Sequence, residues 1–179
     1  GSETVTWDAV TPSKKDSLNV RTDRQGNVYA LDGNTSIVKL SADEQQLWQV
    51  ALPVTDPNHV VRALDVDEFD RVYVGVSAGG EQAKAKLICY EQLPDDKTEL
   101  LWEVIPGAYI EDLVVFQDKL YTIQNYPDVM RSFVRIYDFI DEVEPELIQT
   151  WQVPHPANSI AVKKDGSVIV ACEAAGDTT

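Results

Sequence analysis

The two histidines are the residues of this chain whose chemistry best suits catalysis or metal binding. His59 follows Asp56-Pro57-Asn58, and His155 precedes Pro156-Ala157-Asn158. Imidazole can move protons near neutral pH or ligate a transition metal, but a metal centre needs further ligands. No His-x-x-x-His, Cys-x-x-Cys or Gly-x-Ser-x-Gly spacing accompanies them. The sequence therefore predicts no metal ligand, no catalytic residue and no cofactor, and His59 and His155 are retained as binding candidates.

A second group of residues has the chemistry of a contact surface. The segment Asn125-Tyr126-Pro127-Asp128-Val129-Met130-Arg131 holds the single methionine of the chain between a tyrosine and an arginine. Methionine adapts its shape to a partner, and tyrosine and arginine are enriched among the residues that dominate binding energies. We predict that Tyr126, Met130 and Arg131 contact a binding partner.

Tryptophan recurs along the chain at intervals of roughly 40 to 55 residues. Each of the last three is followed by Gln or Glu and then Val, and each is preceded by a short apolar segment containing tyrosine. Markers that recur in the same order indicate a structural repeat. The tryptophans are Trp7, Trp48, Trp102 and Trp151, and the tyrosines are Tyr29, Tyr73 and Tyr121.

Each repeat is predicted to hold four short strands, here called A to D. The runs are rich in β-branched and aromatic residues and are separated by Gly, Asp, Asn and Pro, which is typical of strands and tight turns. No stretch keeps a helical apolar period. The predicted strands are 17–22, 27–32, 36–41 and 46–52, then 61–67, 71–76, 85–92 and 99–105, then 110–116, 119–124, 132–139 and 147–153.

Four antiparallel strands at this period form the blade of a β-propeller. We predict an all-β propeller or partial propeller of about three and a half repeats, occupying residues 1–179 as a single domain or fragment. The blades are assigned to residues 17–52, 61–105 and 110–153, with a partial fourth at 159–174.

The blades resemble those of PQQ-like and NHL-like propellers. The resemblance rests on Asp23-Arg24-Gln25-Gly26-Asn27-Val28-Tyr29, on Ile37-Val38-Lys39 and on Leu47-Trp48. Blades of those families begin with an Asp-x-x-Gly-Asn-Val-Tyr turn and strand, continue with an Ile-x-Lys strand and reach a tryptophan. The resemblance implies the fold. The Gly that completes the quinoprotein docking motif is missing from Ser41-Ala42-Asp43-Glu44-Gln45-Gln46, so the resemblance does not imply a bound quinone.

In such a blade, the B–C loops and the linkers between blades share one face of the disc. The B–C loops are 32–35, 77–84 and 125–131, and they are longer and more varied than the loops of the opposite face. Loops on a rigid scaffold commonly carry binding residues. The predicted binding residues on this face are Asn34, Gln82, Tyr126, Met130, Arg131, His59 and His155.

Acidic residues outnumber Lys plus Arg by 30 to 15, which gives a formal net charge of −15. This balance argues against nucleic acid and anionic membranes as partners, because both are recognised by cations. No apolar run is long enough to predict insertion into a membrane. The A–B and C–D loops carry many of the acids, so the face opposite the B–C loops is predicted to be acidic, either as a solvated face or as a docking site for a basic partner.

The ends of the repeat pattern bear on ring closure. Val5-Thr6-Trp7-Asp8-Ala9-Val10 matches a D strand, and residues 1–10 are predicted to close the ring by pairing with the partial fourth blade or with another chain. Self-association to complete the ring is one alternative, and a fragment of a longer propeller is another.

Three functions fit these patterns. The favoured one is a non-catalytic scaffold that binds another protein through its loop face. The alternatives are a propeller enzyme with a metal or quinone at the axis, and a structural component of a larger assembly such as a phage tail or surface protein. Fold class does not choose among them.

Overall fold

The computed structural model of the chain describes residues 20–33, 35–54, 59–77, 85–93, 97–126, 129–138, 145–153 and 155–172. Over these ranges the secondary structure consists of strands and turns, without an α-helix. None of the described segments is a helix able to span a membrane. The predicted closing strand and Trp7 lie outside the described residues.

The strands form three four-stranded antiparallel sheets and one two-stranded sheet, each with its strands in chain order. The first sheet contains β1 Val20–Thr22, β2 Val28–Asp32, β3 Ser36–Leu40 and β4 Gln46–Ala51. The second contains β5 Val60–Val66, β6 Val72–Ser77, β7 Lys86–Leu93 and β8 Lys97–Val104. The third contains β9 Tyr109–Phe116, β10 Lys119–Tyr126, β11 Arg131–Asp138 and β12 Glu146–Val153. The last contains β13 Ala157–Val162 and β14 Val168–Cys172. The predicted all-β class of four-stranded antiparallel sheets is confirmed.

The three large sheets share one register. Tyr29 pairs with Lys39, Tyr73 with Cys89 and Tyr121 with Ile136, and a bulge follows each of these third-strand residues. On the fourth strands, Trp48 lies opposite Lys39 and Trp102 opposite Cys89.

Trp151 departs from the predicted equivalence of the tryptophans. It lies opposite Val134, and Gln149 takes the place opposite Ile136. Trp48 and Trp102 are 5% and 7% exposed, whereas Trp151 is 40% exposed. Sequence spacing located the strand but could not resolve a shift of two residues within it.

Consecutive sheets pack face to face. The first and second sheets enclose one apolar cluster, the second and third enclose another, and the third sheet and the β13–β14 hairpin enclose the last. Alternate residues of each strand supply the two faces, as the two-residue period of a strand requires. Members of the three clusters include Tyr29 and Trp48, then Tyr73 and Trp102, then Tyr121 and Ile160.

The second and third sheets approach closely at Gly75 on β6. A Cβ placed there would lie 2.5 Å from Ile110 Cγ2 and 2.9 Å from Ala63 Cβ, so only glycine fits. Beside it the buried Ser77 hydroxyl bridges to β9, because Ser77 Oγ accepts from the Ile110 N–H at 2.9 Å.

Carboxylates join the first strands of neighbouring sheets. Asp65 Oδ2 accepts a hydrogen bond from the Val115 N–H at 2.8 Å, which links β5 to β9. Asp112 Oδ2 accepts one from the Ile160 N–H at 2.9 Å, which links β9 to β13. First-strand N–H groups that have no ladder partner on this side are thereby satisfied.

Buried carboxylates also organise two of the turns between first and second strands. Asp23 Oδ1 accepts from the N–H groups of Gln25 and Asn27, both at 2.9 Å, and Asp67 Oδ1 does the same with Phe69 and Arg71. The tyrosine that follows each turn donates to the same carboxylate, at 3.3 Å from Tyr29 and 2.9 Å from Tyr73.

Lys39 connects the first of these turns to the second sheet. Its side chain is 3% exposed, and Nζ lies 3.6 Å from Asp23 Oδ2 and 3.9 Å from Asp70 Oδ2. It also donates to Gln92 Oε1 at 2.6 Å. The buried ammonium group is therefore neutralised and hydrogen-bonded, as a buried charge requires.

Truncating Trp102 should cost far more stability than truncating Trp151. Trp102→Ala opens a cavity between the second and third sheets, with an expected loss of about 3–5 kcal/mol in the free energy of unfolding. Trp151→Ala removes a side chain already in contact with water and should cost about 1 kcal/mol. Urea denaturation of both variants measures the difference, and equal losses would contradict the register described above.

Lowering the pH should weaken the contribution of Asp23 to the free energy of unfolding. Burial raises the pKa of its carboxyl, but the hydrogen bonds from Asn27 and the charge of Lys39 outweigh burial and bring it below its usual value. A lowered folded-state pKa adds stability above the unfolded value of about 3.8, and this is lost as the pH falls through the folded value. Asp23→Asn should cost about 1–3 kcal/mol at pH 7, and the difference from wild type should shrink below about pH 4.

Asp165→Asn is the matched control for Asp23→Asn. Asp165 Oδ1 accepts from the Ser167 N–H at 2.9 Å in an exposed turn, with no buried cation beside it. Thermal unfolding across pH should show a much smaller effect for this variant. A stability difference between wild type and Asp23→Asn that stayed constant from pH 7 to about pH 2 would refute the carboxylate's role.

Candidate functional site

The described sheets have two distinct ends. The connections from second to third strand and the linkers between sheets lie at one end, here called the linker end. The turns between first and second strands and between third and fourth strands lie at the other, here called the turn end. Antiparallel pairing in chain order dictates this separation.

A cavity of about 300 Å³ opens at the linker end of the third sheet. It lies where β9 begins, β10 ends and β11 begins, next to the linker that precedes β13. Its walls are Tyr109, Glu111, Asn125, Tyr126, Met130, Arg131, Ser132 and Pro156. The structure thus brings together three of the predicted binding residues, Tyr126, Met130 and Arg131.

Tyr126 is held in place from two sides. Its hydroxyl accepts a hydrogen bond from Arg135 Nη2 at 2.7 Å, and its ring meets Phe133 edge-on at 5.5 Å between centroids. Arg135 is itself anchored, because Nη1 donates to Gln124 Oε1 at 2.8 Å and to the Pro106 carbonyl at 3.2 Å. A partner that contacts Tyr126 would therefore meet a side chain whose conformation is already fixed.

Met130 stands at the rim of the cavity in an unusual backbone conformation. Its φ is +49°, in the left-handed region that disfavours residues with a Cβ, and its side chain is 78% exposed. Val129 beside it is 57% exposed. Two apolar side chains are thus presented to solvent by a turn that glycine or asparagine would form more easily.

The charged residues of the cavity differ in their partners. Glu111 is paired with Arg62, whose Nη1 lies 2.8 Å from Oε2 and 3.1 Å from Oε1. Arg131 is exposed and forms no ion pair with a residue that the structure describes. Its guanidinium is therefore available to a ligand.

The floor of the cavity is tied to the next sheet. Asn125 Nδ2 donates to the Ala157 carbonyl at 3.0 Å, and the Ala157 N–H donates to Ser132 Oγ at 3.0 Å. Ser132 Oγ in turn donates to Asn125 Oδ1 at 2.6 Å. These bonds fix the start of β13 against the ends of β10 and β11.

The other predicted residues that the structure describes, His59 and His155, are not among the wall residues of this cavity. His59 is 5% exposed and buried at the start of β5, so its side chain is not offered to a partner. His155 is exposed and lies next to Pro156 of the cavity wall. Asn34 and Gln82 lie outside the described residues. No group of three His, Cys, Asp or Glu residues suited to a metal occurs within the described part of the chain.

Five wall residues are not among the individual residues predicted to bind, although Asn125 lies in the predicted loop 125–131: Tyr109, Glu111, Asn125, Ser132 and Pro156. Linkers between blades and B–C loops were predicted to lie at the same end of the sheets. Residues near the strand ends at that end could therefore have been included in the predicted site. Which strand residues face the cavity depends on sheet packing, which the sequence pattern does not specify.

A larger cavity, of about 500 Å³, lies at the turn end. It is lined by the first-to-second-strand turns of all three large sheets, and Phe69 there is 63% exposed. Four acids of the described turns at this end are paired with three cations. Ion pairs join Asp23 and Asp70 to Lys39, Asp67 to Arg71, and Glu68 to Arg24.

Solved structures of other proteins share this arrangement of sheets. One is a protein from Lactobacillus plantarum, with a TM-score of 0.64 and 17% identity over 86% of this chain and 48% of its own. Another is a protein of unknown function from Bacteroides caccae, with a TM-score of 0.58 and 14% identity over 86% and 52%. A third is virginiamycin B lyase from Staphylococcus aureus, with a TM-score of 0.54 and 12% identity over 84% and 47%.

This chain spans about half the length of each of these structures. No family model and no curated protein matches the sequence, so the closer resemblance to PQQ-like and NHL-like blades stays a prediction. Identities this low establish architecture alone. The chain has a β-propeller-like all-β fold of four-stranded antiparallel sheets.

Proposed function

We propose that this chain is a non-catalytic β-propeller module that binds another protein through the linker end of its third sheet. The contact surface is the cavity around Tyr126, Met130 and Arg131. It combines a fixed aromatic ring, a flexible thioether and an unpaired guanidinium on a rigid sheet, and these side chains are enriched where binding energy concentrates.

The exposure of Met130 is the observation that carries the proposal. The apolar side chain of Met130 does not stabilise the fold while it is exposed to water. The left-handed backbone of Met130 costs of order 1–2 kcal/mol. A strained residue persists where the surrounding structure enforces it, and such positions cluster at binding sites. Contact with a partner would account for the exposure of the Met130 side chain, whereas its left-handed backbone is shared by Glu44, Asp70, Gln117 and Asp118 at other strand connections.

An enzymatic function has less support. Virginiamycin B lyase shares the fold at 12% identity, and that likeness does not extend to a reaction. Apart from Arg131 and Tyr109, the described polar groups of the cavity wall are engaged in hydrogen bonds and ion pairs that hold the sheets together, which suits a contact surface.

Replacing Met130 with glycine should separate binding from folding. Met130→Gly removes the exposed side chain and relieves the left-handed backbone, so the melting temperature should stay the same or rise. Partner binding should fall at least about tenfold, the loss expected for a residue that dominates an interface. Cross-linking in cell extract with quantitative mass spectrometry, and thermal unfolding of the same samples, measure the two effects.

Phe69→Ala provides the matched control, since Phe69 is an exposed apolar residue of the turn-end cavity. The partner recovered with wild type should be recovered equally with this variant and lost with Met130→Gly. Recovery with Met130→Gly together with loss on Phe69→Ala would move the binding surface to the turn end and overturn the proposal.

A further inference from the structure

The polar groups of the linker-end cavity define what a ligand must offer. Most are already engaged by the protein: Glu111 by Arg62, the Tyr126 hydroxyl by Arg135, and Asn125 and Ser132 by each other and by Ala157. A buried polar contact to any of these would compete with a bond that holds the sheets in place.

Two wall groups have no hydrogen-bond or ion-pair partner among the described residues, namely the Arg131 guanidinium and the Tyr109 hydroxyl. Both can donate hydrogen bonds, and the guanidinium carries a positive charge. The group that satisfies such donors is a carboxylate, and guanidinium–carboxylate bonds are among the stronger hydrogen bonds in proteins.

The rest of the lining is apolar in character. Tyr126, Met130 and Pro156 are among the residues that line this space of about 300 Å³, which is enough for one apolar side chain. Arg131 lies directly opposite Tyr126 in the β10–β11 pairing. The apolar surface and the cation are therefore adjacent, and a ligand that uses both must carry its apolar group and its carboxylate close together.

Electrostatic compensation permits an anionic ligand despite the formal net charge of −15. The acidic member of the wall, Glu111, is neutralised by Arg62 at 2.8 Å, so its repulsion is reduced where the carboxylate would lie. Solvent and salt screen more distant acids over roughly 8–10 Å.

Building on the proposed function, we infer that this cavity receives a peptide segment of the partner in which an apolar side chain adjoins an acidic residue. The apolar side chain packs between Tyr126 and Met130, and the carboxylate accepts hydrogen bonds from the Arg131 guanidinium. A basic segment is disfavoured at this cavity because its cation would meet the like charge of Arg131.

The single methionine gives the test an unambiguous probe, because a protein labelled with ¹³C-methyl methionine shows one signal, from Met130. Four capped dipeptides, Leu-Glu, Leu-Gln, Leu-Lys and Gly-Glu, would each be titrated while this signal is followed. Leu-Glu should bind about threefold to tenfold tighter than Leu-Gln, with Leu-Lys and Gly-Glu weaker still, as expected for one exposed charge-assisted contact.

Two arginine variants locate the origin of the preference. Arg131→Gln should abolish the difference between Leu-Glu and Leu-Gln without weakening Leu-Gln. Arg24→Gln, which removes a 78% exposed arginine side chain from the turn end and changes the net charge equally, should retain the difference. Raising the salt concentration to about 1 M should reduce the difference in affinity between Leu-Glu and Leu-Gln.

Equal binding of Leu-Glu and Leu-Gln, tighter binding of Leu-Lys, a preference that survives Arg131→Gln, or a Met130 signal unmoved by all four peptides would each overturn the inference. These results leave the proposed function standing if Met130→Gly still loses the partner that Phe69→Ala retains. If Met130→Gly and Phe69→Ala also failed to differ in partner binding, the proposed function itself would be wrong.

Discussion

Face-to-face packing of consecutive sheets is the interaction on which the rest of this structure depends. A single four-stranded sheet exposes two faces, and here the apolar residues of each sheet meet those of the next. The contact is closest at Gly75, where a Cβ would collide with Ile110. Asp65 and Asp112 add hydrogen bonds between first strands, so each sheet has a defined position relative to its neighbour.

This packing explains how the linker end can hold a strained and exposed turn. The start of β13 is bonded to Asn125 and Ser132, and Tyr126 is bonded to Arg135. The strands that flank Met130 are therefore fixed, and the turn between them accepts a left-handed residue. Such strain is tolerated where the surrounding structure over-determines the conformation, and the preformed surface lowers the entropy cost of binding.

Charge is distributed less simply than the formal value of −15 indicates. At the turn end, several acids of the described turns are engaged in hydrogen bonds and ion pairs, of which the buried Lys39–Asp23 contact is the clearest. At the linker end, Arg131 forms no ion pair with a described residue. Local pairing therefore modifies the charge that each end presents.

Alternation of apolar residues and turn chemistry predicted the strands, their order and the loop that carries Tyr126, Met130 and Arg131, because both are local properties of the sequence. Tertiary structure alone decided three things: that His59 is buried, that Trp151 is displaced from the position of Trp48 and Trp102, and that residues of β9 line the cavity. The register of β12 against β11 and the packing of one sheet on another are not specified by local sequence patterns, because they depend on contacts between separate strands.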